Sequence, residues 1–263
     1  MWSLGLWAGW RFGWHLKSMN FSSRSTVALV LLAVCGVQAQ TWAQTGAGLQ
    51  RGLYKVEVGS AQPAQENPAG QARPTSTPYA GDLSIFEYPD RDKKLQIDRV
   101  MDLLGIQAGK SVADIGAGSG WFTVRAARRV GPGGVVYAEE INPKAIEYIN
   151  DRAQKEKLGN VRTVLGTFDD AKLPAGGVDA VLLLKVYHEI AHPVVVMRGM
   201  LPALRPGAKV GIIDRNGDGT GTDHGVKRAV LVKEMQQAGY KLVGTYDFTK
   251  ADGQDYFLVF VVR

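Results

Sequence analysis

The chain has 263 residues, and its 45% hydrophobic and 21% charged residues are ordinary for a globular protein that can bury a sizeable core. The formal net charge is +6, but three basic residues lie among the first 39, which contain no acid, so 28 basic residues face 25 acidic ones in the remainder. This mild excess does not suggest a nucleic-acid partner, and the single cysteine, Cys35, excludes disulfides, cysteine-ligated metals and a cysteine nucleophile from everything beyond the apolar head segment.

Residues 1–39 have the pattern of an N-terminal extension followed by an export signal. Within residues 19–39, the basic Arg24 precedes an apolar run over residues 26–37 and a small-residue cleavage site that ends at Ala39. The run is shorter than the roughly 20 apolar residues of a membrane-spanning helix. We therefore expect an exported protein, periplasmic or secreted, with no transmembrane segment in the mature chain. The alternative is a buried or peripheral helix in a cytoplasmic protein.

Residues 40–78 are predicted to be a disordered tail or linker. They are rich in Gln, Ala, Gly, Pro, Ser and Thr and contain few large apolar residues. Such a composition buries too little surface to offset the conformational entropy lost on ordering. The folded domain is therefore expected to span residues 79–263.

Residues 79–263 alternate helical and strand patterns, which is typical of a parallel sheet covered by helices on both faces. The predicted helices span residues 91–104, 120–130, 143–157, 192–204 and 226–238, and the predicted strands span residues 111–115, 135–140, 161–165, 178–184, 209–214, 241–247 and 256–262. The connection between the last two strands is too short for a helix, so they should pair as an antiparallel hairpin. The pattern predicts an α/β, Rossmann-like doubly wound sheet that is mostly parallel, with an antiparallel C-terminal hairpin.

The first predicted strand runs into a glycine-rich loop, D-I-G-A-G-S-G, at Asp114–Gly120. Ligands of doubly wound sheets bind beyond the carboxyl ends of the strands, and glycines there let the backbone approach the ligand. A dinucleotide fingerprint would place a glycine where Trp121 stands, and Asp114 would repel a nearby phosphate. Both features disfavour a nicotinamide oxidoreductase, which stays an alternative, and favour a cationic ligand without phosphate.

The motif at Asp114–Gly120 resembles the first motif of class I S-adenosylmethionine-dependent methyltransferases. The V-Y-A-E-E-I run that ends at Ile141 resembles the second motif, in which an acid binds the ribose hydroxyls, and Glu140 takes that place. The F-D-D-A-K-L-P segment resembles the loop whose acid binds the adenine amino group, with Asp169 the first choice and Asp170 the second. The resemblance implies S-adenosylmethionine as the cofactor. The expected cofactor-binding residues are Asp114, Gly116, Ala117, Gly118, Gly120, Glu140, Ile141, Asp169, Asp170 and Lys185.

The end of the fourth predicted strand, K-V-Y-H-E-I, is where this family usually presents its acceptor-side residues. Tyr187 and His188 are the candidate catalytic residues, and His188 is the better base because imidazole titrates near neutral pH. The alternative is that His188 only caps the following helix. Asp214 and His224 are further candidates for facing the acceptor.

The acceptor is expected to be a small molecule. The sequence lacks the Asn/Asp-Pro-Pro-Tyr/Phe motif of amine methylation on nucleic-acid bases or glutamine, and its closing Y-F-L-V-F segment resembles small-molecule-type bacterial methyltransferases. No metal is predicted, because Asp214, Asp218 and Asp223 match no known cage spacing. An exported, non-catalytic binding protein with the same fold is the competing hypothesis, and the sequence indicates nothing about the oligomeric state.

Overall fold

A computed structural model describes residues 72–75 and 77–263 of the chain. The predicted extension and export signal at residues 1–39 lie outside the described residues, as does most of the predicted tail at residues 40–78. Those assignments, and the domain boundary at residue 79, therefore stay predictions.

Arg73 belongs to the predicted tail, yet it lies against the folded domain. Its backbone N–H donates to the carbonyl of Ala191 at 2.9 Å, and its guanidinium donates to the carbonyls of Tyr187 and Ile190. The guanidinium also lies 3.7 Å from the carboxylate of Glu234. This arginine therefore has polar partners on the domain that the composition of the segment did not indicate.

Seven strands form one sheet in the order β3-β2-β1-β4-β5-β7-β6. The strands are β1 (Ser111–Ile115), β2 (Val135–Glu140), β3 (Val161–Leu165), β4 (Val178–Leu184), β5 (Leu204–Asp214), β6 (Tyr240–Tyr246) and β7 (Tyr256–Val262). The first five are parallel, whereas β7 pairs antiparallel with both β5 and β6. The predicted fold class is confirmed, and the reversal of strand order between β1 and β4 creates the crevice where ligands of such sheets bind.

Within the described residues, six α-helices cover the sheet. They are α1 (Arg91–Leu95), α2 (Ile97–Leu104), α3 (Trp121–Val130), α4 (Pro143–Lys155), α5 (Pro193–Gly199) and α6 (Arg228–Gln237). The predicted helix at residues 91–104 is divided at Gln96, which has a left-handed φ of 49°. The predicted helix at residues 192–204 ends earlier, and a 3₁₀ turn at Leu201–Ala203 that contains Pro202 follows it, because proline cannot continue the helical hydrogen bonding.

The core lies in two layers, one on each face of the sheet. Alternate residues of a strand point to opposite faces, so Leu183 packs with the layer under α5 and α6, whereas Leu182 packs with the layer under α1, α2 and α3. Both leucines are fully buried, and each such burial stabilises the fold by about 1.5–3 kcal/mol. Two-faced burial explains why the central strands are continuous apolar runs. None of the described helices is both long enough and apolar enough to cross a membrane.

Candidate active site

A cavity of about 500 Å³ opens at the carboxyl ends of β1, β2 and β4. Its lining includes the glycine-rich loop after β1, the end of β2, the turn after β4 and a segment that precedes α1. Eight of the predicted site residues line it, namely Asp114, Gly116, Ala117, Gly118, Glu140, Ile141, Lys185 and His188. The fold therefore brings together most of the residues that the sequence motifs selected.

The glycine-rich loop is held close to the sheet by backbone geometry. Gly116 has a φ of +62°, and a Cβ on it would lie 2.4 Å from Cγ2 of Val186, so only glycine fits this position without displacing the chain after β4. Gly118 has a φ of +55°, and a Cβ there would lie 3.5 Å from the ring of Phe86. Gly120 is the N-cap of α3 and does not contribute to the lining, so its part in the described structure is to end the loop.

Asp114 is the penultimate residue of β1 and carries a buried carboxylate beneath the loop. Its Oδ2 accepts a hydrogen bond from the hydroxyl of Thr123 at 2.6 Å. Burial raises the pKa of this carboxyl group to about 7, and the hydrogen bond from Thr123 and the charge of Arg91 oppose the rise. Arg91 is itself buried, lines the cavity and lies over the ring of Trp121. A carboxylate held this way can accept a cationic ligand group from the cavity.

Two acidic residues end β2 at the cavity. Glu140 accepts hydrogen bonds from the backbone N–H groups of Gly118 and Asn142, both at 3.1 Å, which leaves further lone pairs on both oxygens for ligand hydroxyls. Glu139 is buried under the loop and accepts from the N–H of Gly116 at 3.3 Å. Burial raises the pKa of Glu139 to about 8, and the neighbouring carboxylates add to the rise. With Asp114, these groups make this end of the cavity acidic.

The loop after β3 presents different residues from those predicted. Thr167 and Phe168 line the cavity, and Phe168 is 69% exposed. Asp169 and Asp170 are absent from the lining, although the structure describes both. The Asp169 carboxylate pairs with Nδ1 of His192 at 2.7 Å, and Asp170 accepts from a backbone N–H within its own loop. Contact of either acid with an adenine amino group stays a prediction.

Tyr187 and His188 lie in a 3₁₀ turn, Tyr187–Glu189, and point in different directions. Tyr187 is fully buried in the core, where its hydroxyl donates to Glu234 at 2.9 Å and burial raises its pKa well above 10. The structure therefore does not bring Tyr187 to the cavity. The phenol packs in the core beneath the turn, and from this position it does not contact an acceptor in the cavity.

His188 faces the cavity and is oriented by Asp214 at the end of β5. The Asp214 carboxylate is completely buried, and it accepts from the backbone N–H of His188 at 3.1 Å and pairs with Nδ1 of the imidazole at 2.9 Å. The Nδ1–H tautomer donates to this carboxylate, and in that tautomer the lone pair of the ring is on Nε2. His188 is not a helix cap, because its backbone N–H and ring both bind the neighbouring strand's carboxylate.

Lys185 lines the cavity, but its amine is already paired. The ammonium lies 2.8 Å from Oδ2 of Asp252 and donates to the hydroxyl of Tyr88 at 3.0 Å. Burial lowers the pKa of this lysine, and Asp252 opposes the decrease. Its place in the wall fits the predicted cofactor-binding role, whereas its partners show that it also ties the turn after β4 to the segment before α1.

The sequence motifs did not indicate several residues of the cavity wall. These residues are Tyr79, Leu83, Phe86, Arg91, Ser119, Glu139, Thr167, Phe168 and Glu189, whereas His224, which also lines the cavity, was a candidate for facing the acceptor. The segment before α1 contributes the aromatic pair Tyr79 and Phe86, whose ring centroids lie 5.5 Å apart. Glu139 is adjacent to Glu140, which the second motif selected. Residues 83–86 are mostly apolar and belong to no motif, so the sequence did not indicate that this segment lines the cavity.

A family model described as a methyltransferase domain matches residues 106–242, which is just over half of the chain. Ubiquinone/menaquinone biosynthesis C-methyltransferase UbiE of Ectopseudomonas mendocina is 30% identical over 115 residues, covering 43% of this chain and 45% of that protein. The protein with the same description from Pseudomonas putida is 28% identical over 115 residues, again covering 43% of this chain and 45% of that protein. The chain thus spans about half the length of the curated relatives it matches.

Solved structures are similar in fold. A SAM dependent methyltransferase from Aquifex aeolicus has a TM-score of 0.62 at 20% identity, covering 70% of this chain and 100% of that one. Geranyl diphosphate C-methyltransferase from Streptomyces coelicolor A3(2), in complex with Mg²⁺, geranyl diphosphate and S-adenosyl-L-homocysteine, has a TM-score of 0.53 at 17% identity, covering 73% and 91%. At these identities the likeness concerns the fold alone.

Proposed function

The chain belongs to the methyltransferase-domain family, and on this premise we propose that it transfers a methyl group from S-adenosylmethionine to a small-molecule acceptor. The observation that carries the proposal is the acidic, glycine-lined end of the cavity. Asp114, Glu139 and Glu140 lie around a loop whose backbone a ligand can approach closely. This end of the cavity attracts a cationic ligand and repels one that bears phosphates.

The residues present fit this cofactor group by group. Asp114 is the carboxylate for the ammonium, and Glu140 has free lone pairs for two ribose hydroxyls. Ile141 and Phe168 offer apolar surface for the adenine ring. A nicotinamide dinucleotide, whose pyrophosphate would lie beside the acidic side chains of Asp114 and Glu140, fits this end poorly. When bound, the cofactor supplies an electrophilic methyl group on a sulfonium.

His188 is the residue that we assign to the acceptor side. Asp214 fixes its ring, and Nε2 presents a lone pair to the cavity. Methyl transfer is an in-line displacement that needs mainly proximity and orientation, and a base is needed only where the acceptor must lose a proton. The wall near His188 includes the apolar side chains of Val186, Ile190 and Val196, which would exclude water from the acceptor.

Calorimetric titration of the full chain with S-adenosylmethionine, and in parallel with reduced nicotinamide dinucleotide, tests the proposal. We expect saturable binding of the first and none of the second. Asp114→Asn should weaken the binding at least tenfold, because it removes the ammonium's counter-charge. The matched control is Asp151→Asn, an exposed acid on α4. Equal affinity of Asp114→Asn and the control would contradict the proposed cofactor site.

A further inference from the structure

Three side chains that can bind metals meet on the acceptor side of the cavity. His188, Glu189 and His224 each offer one ligand atom, and these atoms lie within 4.8 Å of one another. All three residues line the cavity, whereas Asp218 and Asp223, which the sequence raised as metal candidates, are outside its lining. The cluster joins the turn after β4 to the connection between β5 and α6, so no sequence spacing reveals it.

The orientation of His188 is the first observation that points to a cation. Asp214 takes Nδ1 at 2.9 Å, which directs the Nε2 lone pair toward the Glu189 carboxylate, 3.9 Å away. Histidines that bind metals almost always donate their other ring N–H to a carboxylate in this way. A general base would need this dyad as well, but it would not need a second imidazole and a second carboxylate beside its lone pair.

Glu189 and His224 provide the second observation. Among the residues that the structure describes, no donor reaches the half-buried Glu189 carboxylate within hydrogen-bonding distance. The His224 ring packs edge-on against His188 with centroids 5.7 Å apart, and its carbonyl accepts from Nε of Arg215 at 2.6 Å, which anchors its backbone. Several lone pairs therefore converge with no donor between them, an arrangement that a cation stabilises.

The ligand set and spacing suit a divalent cation of the zinc class. Metal–ligand distances of 2.0–2.2 Å in a tetrahedral site place ligand atoms about 3.3 Å apart, so side-chain rotations of about 1 Å would close the cluster. Two imidazoles and one carboxylate are the protein ligands of catalytic zinc sites that keep a position open. Calcium and magnesium prefer oxygen ligands alone.

We propose that His188, Glu189 and His224 bind one divalent cation of the zinc class at the acceptor end of the cavity, with Asp214 orienting His188. The open coordination position then faces the space in which the acceptor lies. This site differs from the sequence expectation, which predicted no metal, because that expectation considered only aspartates.

The site also defines the class of acceptor, and this part rests on the proposed function. An open position on such a cation takes one donor atom of the acceptor, and we assign that atom to the oxygen of a hydroxyl compound. Coordination lowers the pKa of the hydroxyl, which releases its proton to water. The oxygen's electron pair then forms the bond to the methyl carbon, the carbon–sulfur bond breaks, and its electron pair stays on sulfur, which becomes a neutral thioether.

Cation binding can be measured without methyl transfer. Tag-free full-length protein would be titrated with Zn²⁺ by calorimetry and with Co²⁺ by visible absorption. We expect one cation per chain, and at least tenfold weaker binding for Glu189→Gln and His224→Ala. His192→Ala is the matched control, because His192 lies outside the cluster, and it should bind as the wild type does. Asp214→Asn should weaken binding 10- to 100-fold, as loss of an outer carboxylate does.

His224 is exposed, so His224→Ala should fold even if substitutions at the buried His188 do not. Absence of Co²⁺ binding by the wild type, or equal binding by wild type, Glu189→Gln and His224→Ala, would overturn the metal site. Titration of the same preparations with S-adenosylmethionine separates the two proposals. A protein that binds Co²⁺ with the expected variant pattern but not the cofactor would refute the proposed function and leave the metal site standing.

Acetohydroxamate, an oxygen chelator, tests the open coordination position. Added to the Co²⁺-loaded wild type, it should change the visible absorption bands by entering the coordination sphere. An unchanged spectrum at saturating acetohydroxamate would show that the cation has no open position, and the assignment of a hydroxyl acceptor would fail.

Discussion

The raised pKa of Asp114 makes a quantitative prediction about cofactor affinity. Only the ionised carboxylate pairs with an ammonium, and burial places the pKa of this group at about 7. About one-tenth of the protein therefore has the ionised carboxylate at pH 6 and about half has it at pH 7. If binding requires the ionised form, affinity for S-adenosylmethionine rises about fivefold over this interval, or ~1 kcal/mol.

The direction of the effect follows from the sign of the shift. A carboxyl group with a raised pKa holds its proton up to higher pH, so affinity is lost as the pH falls through 7 and regained above it. Calorimetric titrations at half-unit intervals from pH 5.5 to 7.5 measure the dependence. Asp114→Asn should bind more weakly and lose most of the pH dependence, while its amide oxygen can still accept from Thr123.

Glu139 also titrates at this end of the cavity, so a residual slope in Asp114→Asn is expected above pH 7. The double variant Asp114→Asn, Glu139→Gln should show none. A wild-type affinity that stays constant from pH 5.5 to 7.5 would refute the reasoning, because the buried carboxylate would then not be the ammonium's partner.

Three further predictions follow from the structure and a fourth from the sequence. The pKa of Glu139 is about 8 in the folded chain against an ordinary value of 4.5. The folded state therefore holds an extra proton between these pH values, and its stability falls as the pH rises through them. Glu139→Gln should raise the free energy of unfolding by at least about 1 kcal/mol at pH 9, measured by chemical denaturation. Gly116→Ala should lower the free energy of unfolding by about 2–4 kcal/mol, because its φ is positive and the new Cβ clashes with Val186. Adding Val186→Ala should restore only the part of this free energy that is due to the clash. A double-mutant cycle of unfolding free energies checks this. His188→Ala should lower single-turnover methyl transfer by about 10²–10⁴-fold while changing cofactor affinity by less than ~1 kcal/mol; unchanged turnover per folded molecule would exclude His188 from the chemistry. Expression from Met19 in a bacterial host should yield a product outside the cytoplasm that begins at Gln40, as intact-mass analysis would show. An uncleaved cytoplasmic product would contradict the predicted signal.

Local patterns predicted the strands well because burial on both faces requires a continuous run of apolar residues in the sequence. A strand such as β4 (Val178–Leu184) must be apolar at nearly every position, and the flanking turns mark its ends. No comparable sequence feature marks the division of the predicted helix at Gln96. Neither glycine nor proline stands there, and the left-handed conformation depends on how α1 and α2 each pack.

The cofactor end of the site was largely predictable, and the acceptor end was not. Asp114 and Glu140 lie at the carboxyl ends of β1 and β2, so their positions depend only on strand ends meeting at one edge of the sheet. The pairing of His188 with Asp214 joins the turn after β4 to the end of β5, across 26 positions of sequence, and it depends on the β4–β5 register. His224 comes from a polar loop in which no periodicity indicates where a side chain points.

The predicted export signal and the proposed cofactor constrain each other, because S-adenosylmethionine is made in the cytoplasm. A non-catalytic relic that kept the fold after export would remove this conflict. However, Asp114 and Glu139 are buried carboxylates with raised pKa values, so each costs stability at neutral pH. In a relic, Thr123 and Arg91 offset only part of this cost at Asp114, whereas a bound cation offsets more of it at both carboxylates. The acidic end of the cavity therefore favours a protein that still binds a cationic cofactor, in whichever compartment the protein encounters that cofactor.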